Sequence, residues 1–153
     1  MTAEPTGLLS MPVLVVSLVA LGLSSCCVLL HYEALSLLNR FLPRLHIRRR
    51  PHMLVLVFSI LALHSLEIFL FALGYMWMPD HPAYGGLHGS GPLGLVDYGY
   101  FSAVVFTTLG LGDIVPVGPV RILTGAQSLV GFVLITWSAS FTFIEMQTFW
   151  KRG

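Results

Sequence analysis

Three long apolar stretches, almost free of charge, are the feature of this sequence that most constrains its fold. Residues 5–32 and 122–144 carry no formal charge, and residues 53–78 carry only Glu67. Each stretch exceeds the roughly 20 residues that cross a bilayer. Each must be helical, because lipid leaves an unpaired backbone without hydrogen-bond partners. The sequence therefore predicts an all-α membrane protein with three transmembrane helices.

The composition agrees with a membrane location and excludes several function classes. Of the 153 residues, 56% are hydrophobic and only 10% are charged, whereas a soluble domain carries about 25% charged residues. The net charge of +1 gives no reason to expect a nucleic-acid partner. No nucleophile–base pair or catalytic metal cluster is evident, so we do not expect an enzyme. Cys26 and Cys27 are adjacent in an apolar run, which predicts buried thiols.

The basic residues predict the orientation in the membrane. Five of the eight Lys and Arg residues lie between the first two stretches, namely Arg40, Arg44, Arg48, Arg49 and Arg50. Lys151 and Arg152 follow the third stretch. Basic segments stay on the cytoplasmic side, so we expect a multi-pass protein of the plasma or bacterial inner membrane, with its N-terminus outside and its C-terminus in the cytoplasm. Anionic lipid bound at Arg48, Arg49 and Arg50 is an alternative role for the cluster.

The connection between the second and third stretches has two parts. Residues 79–92 are rich in Gly, Pro and His, which predicts an irregular outer loop. Asp97 then suits the N-cap of a short apolar helix that ends at Thr107. Such a helix is too short to span the bilayer, and the non-helical chain after it is tolerated at that depth only in protein or beside water. The pattern predicts a re-entrant segment that lines a pore.

The segment after this short helix reads Thr-Thr-Leu-Gly-Leu-Gly-Asp-Ile-Val-Pro from Thr107 to Pro116. It resembles the selectivity filter of tetrameric potassium channels, written TVGYG, with Leu109 and Leu111 in place of Val and Tyr. Backbone carbonyls that turn to one axis need alternating left-handed backbone values, which Gly110 and Gly112 adopt at little cost. The resemblance implies the tetrameric potassium-channel pore fold and K⁺ ions as the filter's ligand, with no organic cofactor. By the same resemblance, the filter residues are Thr108, Leu109, Gly110, Leu111 and Gly112, and the first four of these coordinate K⁺.

The resemblance also implies a set of residues that support the filter: Thr107, Asp113, Tyr100 and Val104. Leu111 cannot make the hydrogen bond that the filter tyrosine of relatives donates. Val104 stands where some relatives have a glutamate, and Tyr100 stands where relatives have a tryptophan. We therefore predict a contact between Tyr100 and Asp113. The alternative for Asp113 is a solvated carboxylate, which would still attract cations to the entrance.

The third stretch is expected to line the inner cavity and to carry the gate. Its candidate residues share one helix face, with spacings of three or four: Val133, Thr136, Ser140 and Ile144. The two hydroxyls could instead serve helix packing. Gly131 falls near the gating hinge of the family, and close packing is the equal alternative. Glu145 could form an acidic ring in four copies, or could pair with Lys151 or Arg152.

Two groups of titratable residues stay open to more than one interpretation. Glu67 is the only charge inside a stretch, with His64 three residues before it. A buried polar contact to the pore domain or to the first helix is the leading hypothesis, and a protonation-linked gate is the alternative. His64 and Glu67 also resemble half of a di-metal motif whose second half is missing. His81 and His88 in the outer loop could respond to pH or zinc, or be solvated.

These predictions combine into one architecture. Residues 1–51 form an extra helix and a basic cytoplasmic loop, and residues 52–153 form the pore domain. Within it, the outer helix is 53–78, the outer loop 79–96, the pore helix 97–107, the filter 108–113 and the inner helix 119–149. We expect a homotetramer that conducts K⁺ passively. The alternatives are a weakly selective Na⁺/K⁺ channel and a non-conducting accessory subunit of another channel.

Overall fold

The computed structural model describes residues 10–42, 49–78 and 82–151. Its helices are α1 (Met11–Phe41), α2 (Arg49–Trp77), α3 (Leu95–Phe106) and α4 (Val120–Lys151). A short 3₁₀ helix (Pro82–Tyr84) and two short strands, β1 (Gly86–His88) and β2 (Val115–Val117), complete the described part. Helices α1, α2 and α4 are long and apolar enough to cross a membrane. The three predicted transmembrane helices and the short helix between the last two are confirmed.

The short helix α3 lies between α2 and α4, and α1 packs against both long helices. The main core forms where α3 meets the others, around the fully buried side chains of Phe71, Phe106 and Leu123. Most of the remaining apolar surface of the long helices is exposed on the single chain. That distribution suits helices whose outer faces meet lipid or other chains rather than water.

The ends of the long helices differ from the bounds predicted from the sequence, most of all at the end of α1. Helix α1 continues to Phe41, well beyond the charge-free run, and α2 begins at Arg49 rather than at residue 53. Arginine is a good helix former, so the end of a charge-free run does not mark the end of a helix. Pro51 lies in the first turn of α2, where proline is tolerated because that N–H needs no helical partner.

The predicted start of α3 is wrong by three residues. Gly94 is the N-cap and Asp97 is the third residue of the helix. The Asp97 carboxylate accepts a hydrogen bond from the Gly94 N–H at 2.7 Å. A carboxylate in the first turn accepts a hydrogen bond from a free backbone N–H and interacts favourably with the positive end of the helix dipole. Asp97 therefore still indicates where this helix begins, although it lies within the first turn.

The outer loop is less irregular than predicted. Strands β1 and β2 pair in antiparallel fashion, with Leu87 opposite Pro116. This pairing joins residues on opposite sides of α3 in the sequence, which no local pattern of Gly and Pro reveals. It holds the stretch that follows the filter segment against the stretch that precedes α3.

The two cysteines behave differently from each other. Cys27 is buried and Cys26 is exposed, and both are free thiols. The prediction of two buried thiols is therefore wrong for Cys26. Consecutive residues on a helix with 3.6 residues per turn point about 100° apart, so only one of the pair faces the neighbouring helices.

Candidate functional site

The filter segment, residues 108–113, begins with a tightly bonded turn at the end of α3. The N–H of Thr107 bonds to the Ala103 carbonyl at 3.0 Å. The next two N–H groups bond to the carbonyls of Val105 and Val104, at 3.0 and 2.9 Å. These bonds use carbonyls that the helix end would otherwise leave free. They fix the direction in which the chain leaves α3.

In the filter segment, the backbone alternates between positive and negative φ. Thr108, Gly110 and Gly112 have φ values of 59°, 60° and 82°, whereas Leu109 and Leu111 between them do not have positive φ. Such alternation turns successive carbonyls toward one side, as a row of ion ligands requires. The left-handed values at both glycines were predicted from the sequence. Thr108 was missed, because a threonine gives no signal for a conformation that L residues avoid.

The whole filter segment lies on the surface of the single chain. Leu109 is 63% exposed and Leu111 is 59% exposed. A Cβ placed on Gly110 or Gly112 would meet no other atom within 4 Å. The apolar side chains of this segment are therefore uncovered in the single chain.

A buried polar brace, formed by Tyr75, Ser102 and Gln127, holds α3 between the long helices. The Ser102 hydroxyl donates to the Ile68 carbonyl of α2 at 2.7 Å. The Gln127 amide of α4 donates to the Ser102 carbonyl at 3.1 Å and to its Oγ at 2.7 Å. The Tyr75 hydroxyl of α2 donates to Gln127 Oε1 at 2.7 Å.

The polar brace was not predicted from the sequence, although a signal for it exists. Gln127 and Ser102 are fully buried. Polar side chains in apolar helices bond across helices when they are buried. The occurrence of Gln127, an amide side chain in a stretch without formal charge, was the available indication.

At the C-terminal end of the filter segment, Tyr100 interacts with Asp113. The hydrogen bond to this carboxylate raises the pKa of the exposed Tyr100 phenol. This is the contact predicted from the sequence. Together with Asp97, the two residues line a small depression beside the outer loop, which places two carboxylates near the end of the filter segment. Val104, the fourth support candidate, is buried in α3.

Gly131 is the point at which α4 touches the end of α3. A Cβ at this position would collide with the Phe106 backbone, including its carbonyl oxygen. Gly131 was considered as a gating hinge or as a site of close packing, and the structure shows the close packing. The same contact places the middle of α4 beside Phe106, the last residue of α3.

The candidate cavity residues of α4 lie on an exposed face of the single chain: Val133, Thr136, Ser140 and Ile144. The Thr136 hydroxyl donates to the Phe132 carbonyl at 2.9 Å, and that of Ser140 donates to the Thr136 carbonyl at 3.0 Å. Both hydroxyls thus bond within their own helix, while their oxygens remain on the exposed face.

Several predicted contacts fall on parts of the chain that the structure does not describe. Glu145 is partly exposed, but its possible partners Lys151 and Arg152 lie outside the described side chains. Arg48 and His81 lie outside the described residues, as do the side chains of Arg49 and Arg50.

Glu67 makes the buried polar contact to the first helix that was hypothesised. Its Oε1 lies 2.9 Å from His31 Nδ1 on α1, and its Oε2 lies 2.8 Å from His64 Nδ1 on α2. His31 Nε2 in turn lies 3.3 Å from the Ser138 hydroxyl on α4. His31 was missed, because a lone histidine in an apolar stretch does not reveal its partner on another helix.

The chain matches the model of a protein family described as an ion channel, over residues 54–148. This match covers well over half of the chain and includes α2, α3, the filter segment and most of α4. Helix α1 lies outside it. No curated protein and no solved structure matches the chain. Three membrane-length helices with a short helix and an alternating loop between the last two agree with the family match: the chain belongs to this family of ion channels.

Proposed function

We propose that the chain is the subunit of a homotetrameric channel that conducts K⁺ passively and selectively. The observation that carries the proposal is the alternating hand of the backbone at Thr108, Gly110 and Gly112. K⁺ must exchange its hydration shell for other oxygens, and rings of backbone carbonyls supply them. In this proposal the ligands are the carbonyls of Thr108, Leu109, Gly110 and Leu111, with the Thr108 hydroxyl at the inner end.

Four copies are proposed because one chain contributes one filter segment. A carbonyl ring needs several such segments around an axis, and closed rotational symmetry is the usual way for identical chains to supply them. The exposed side chains of Leu109 and Leu111 support this arrangement. A neighbouring copy that covered them would bury apolar surface and complete the support of the filter.

A weakly selective Na⁺/K⁺ channel is the second candidate, and Leu111 favours it. Leucine has no hydrogen-bond donor in its side chain, so packing alone holds this position against neighbouring chains. The Tyr100–Asp113 contact and the polar brace supply rigidity at other points. The proposal of full selectivity depends on these contacts to keep the carbonyl row in place.

The proposed orientation follows from charge. The basic segment between α1 and α2 and the end of α4 would face the cytoplasm of a cell-membrane protein, with α1 entering from outside. Arg48, Arg49 and Arg50 would then lie at the level of anionic lipid headgroups.

The reversal potential of the purified protein in a planar bilayer, with K⁺ on one side and Na⁺ on the other, tests the function. We expect reversal close to the K⁺ equilibrium potential. Reversal near zero with clear current would establish the weakly selective channel instead. Absence of current from both the wild type and Leu111→Tyr would contradict a conducting homotetramer and favour an accessory subunit.

A further inference from the structure

The cluster formed by His31, His64 and Glu67 has a composition and geometry that channel conduction does not require. One ligand-type atom from each residue lies within 4.8 Å of the other two. His31 and Glu67 are completely buried, and the His64 side chain is 14% exposed. The cluster joins α1, which lies outside the family match, to α2 of the pore domain.

Charge is the first reason to look for a further ligand. A carboxylate buried in a membrane helix is costly unless a positive group compensates it. Among the described residues, the ion-pair partners of Glu67 are the two histidines, which carry charge only when protonated. A divalent cation would supply the missing positive charge in a fixed position.

The donor set is the second reason. Two imidazoles and one carboxylate form a common ligand set for catalytic zinc, with water in the remaining position. Zinc lies about 2.0–2.2 Å from such nitrogen and oxygen ligands, which in a tetrahedral site separates neighbouring ligand atoms by about 3.3–3.6 Å. The observed separations of 2.9 and 2.8 Å join the two Nδ1 atoms to different oxygens of Glu67, and each needs to widen by about half an ångström to admit the metal.

The surroundings fit metal ligation as well. A metal-bound histidine donates its other ring N–H to a nearby acceptor, which fixes the ring. The Ser138 oxygen lies 3.3 Å from His31 Nε2, in the position for this contact. His64 borders a cleft between α2 and α4 that is lined by Ile60, Ile135, Thr142 and other residues. This cleft leaves the His64 side of the cluster accessible at the surface of the single chain.

We propose that His31, His64 and Glu67 bind a zinc-class divalent cation that fastens α1 to the pore domain. With metal bound, each imidazole presents the Nδ1 lone pair to the metal and carries its hydrogen on Nε2 instead. In the metal-free protein, the same Nδ1 atoms donate hydrogen bonds to Glu67. Because Ser138 lies on α4, the ion also ties the position of α1 to the helix that lines the candidate cavity. Metal occupancy would then regulate how firmly α1 holds the channel.

Zinc titration of the purified full-length channel, freed of any histidine tag and of bound metal by a chelator, tests the proposal. We expect one Zn²⁺ per chain by calorimetry, and a rise in the thermal unfolding midpoint. His31→Asn and Glu67→Gln should each weaken binding at least tenfold. His88→Asn, which alters an exposed histidine of the outer loop, should bind as the wild type does.

Gel filtration without zinc shows whether the variants are folded. If they are not, visible absorption of Co²⁺ added to the wild type reports nitrogen and oxygen ligation without any substitution. Failure of the wild type to bind either ion, or equal binding by folded His31→Asn, would overturn the proposal. The cluster would then be a hydrogen-bonded pair of histidines around Glu67. These measurements do not depend on current, so their failure leaves the proposed function untouched.

Discussion

At the scale of single residues, the backbone conformation of the filter segment matters more than its side chains. Thr108, Gly110 and Gly112 all hold left-handed φ values, and the first of them does so at a steric cost. A left-handed L residue costs roughly 1–2 kcal/mol. The bonds that the N–H groups of Thr108 and Leu109 make to α3 carbonyls help to hold the chain in this conformation.

Gly112→Ala should abolish current while leaving the protein folded and assembled. The new Cβ meets no atom of the chain within 4 Å, so its effect comes from the φ of 82°. That conformation costs alanine about 1–2 kcal/mol, which relaxation of the loop would relieve by turning a carbonyl away. Single-channel recording and gel filtration measure the two effects.

Gly125→Ala is the matched control for this substitution. Gly125 is equally uncrowded but lies in helix α4 without positive φ. Alanine is favoured there by about 1 kcal/mol over glycine, so current should persist. Wild-type current from Gly112→Ala would show that the left-handed value is not needed for conduction.

Tyr100→Phe should shorten the mean open time of the channel, because it removes the hydrogen bond to Asp113 at the end of the filter segment. The pKa of Tyr100 is raised by that carboxylate, above the ordinary value of about 10. The contact is therefore intact below about pH 10 and is lost as the pH rises through the raised pKa.

Recordings over a series of alkaline pH values test the role of Tyr100. Wild-type open times should shorten at high pH toward those of Tyr100→Phe, while the variant should respond less. Tyr32→Phe serves as the control, since Tyr32 lies on α1 beside Trp137 rather than near the filter. Equal open times for the wild type and Tyr100→Phe at neutral pH would rule out this support.

At the scale of secondary structure elements, the position of α3 depends on two kinds of contact. The polar brace bonds α3 to α2 and α4, and Gly131 allows α4 to approach the end of α3 at backbone distance. Since the filter segment leaves directly from α3, any tilt of this helix moves the carbonyl row. Although α3 is short, its orientation is set by the Ser102–Ile68 bond to α2, the Gln127–Ser102 bonds to α4 and the contact of Gly131 with Phe106.

Gln127→Leu should destabilise the channel and reduce its selectivity. Leucine leaves the Ser102 carbonyl without its side-chain donor and Tyr75 without its strongest acceptor. Each buried polar group that loses its partner costs about 1–3 kcal/mol. The thermal unfolding midpoint and the reversal potential measure the two effects.

Thr148→Val is the control for the loss of a polar group from α4. Its exposed hydroxyl bonds to the Ile144 carbonyl of its own helix. Both stability and selectivity should change little. Unchanged selectivity in Gln127→Leu, together with lower stability, would limit the brace to a structural role.

The sequence predicted the elements better than their contacts. Charge-free runs located the three long helices, and Gly110 and Gly112 located the filter segment, because both signals are local in sequence. The β1–β2 pairing, the approach of Phe106 to Gly131 and the His31–Glu67 contact join residues far apart in the chain. Their formation depends on how the helices pack, which composition and periodicity do not specify.

At the scale of the whole molecule, one chain leaves much of its apolar surface uncovered. The filter leucines are more than half exposed, and α4 presents Phe132, Phe143 and Ile144 with similar exposure. In a proposed tetramer, the filter segments would surround one axis, and some of this apolar surface would meet neighbouring copies. The number of copies that must cooperate is therefore the central quantity to measure.

Mixing wild-type and Gly112→Ala chains measures that number. If four identical chains form each channel and one defective segment blocks it, equal co-expression leaves about one sixteenth of the channels entirely wild type. A dimer would leave about one quarter. Co-expression with Gly125→Ala should leave the current undiminished. This control shows that a loss of current comes from the defective filter segment and not from reduced expression of the wild-type chain. Residual current close to one half would mean that each chain acts alone, and the tetrameric filter proposal would then fail.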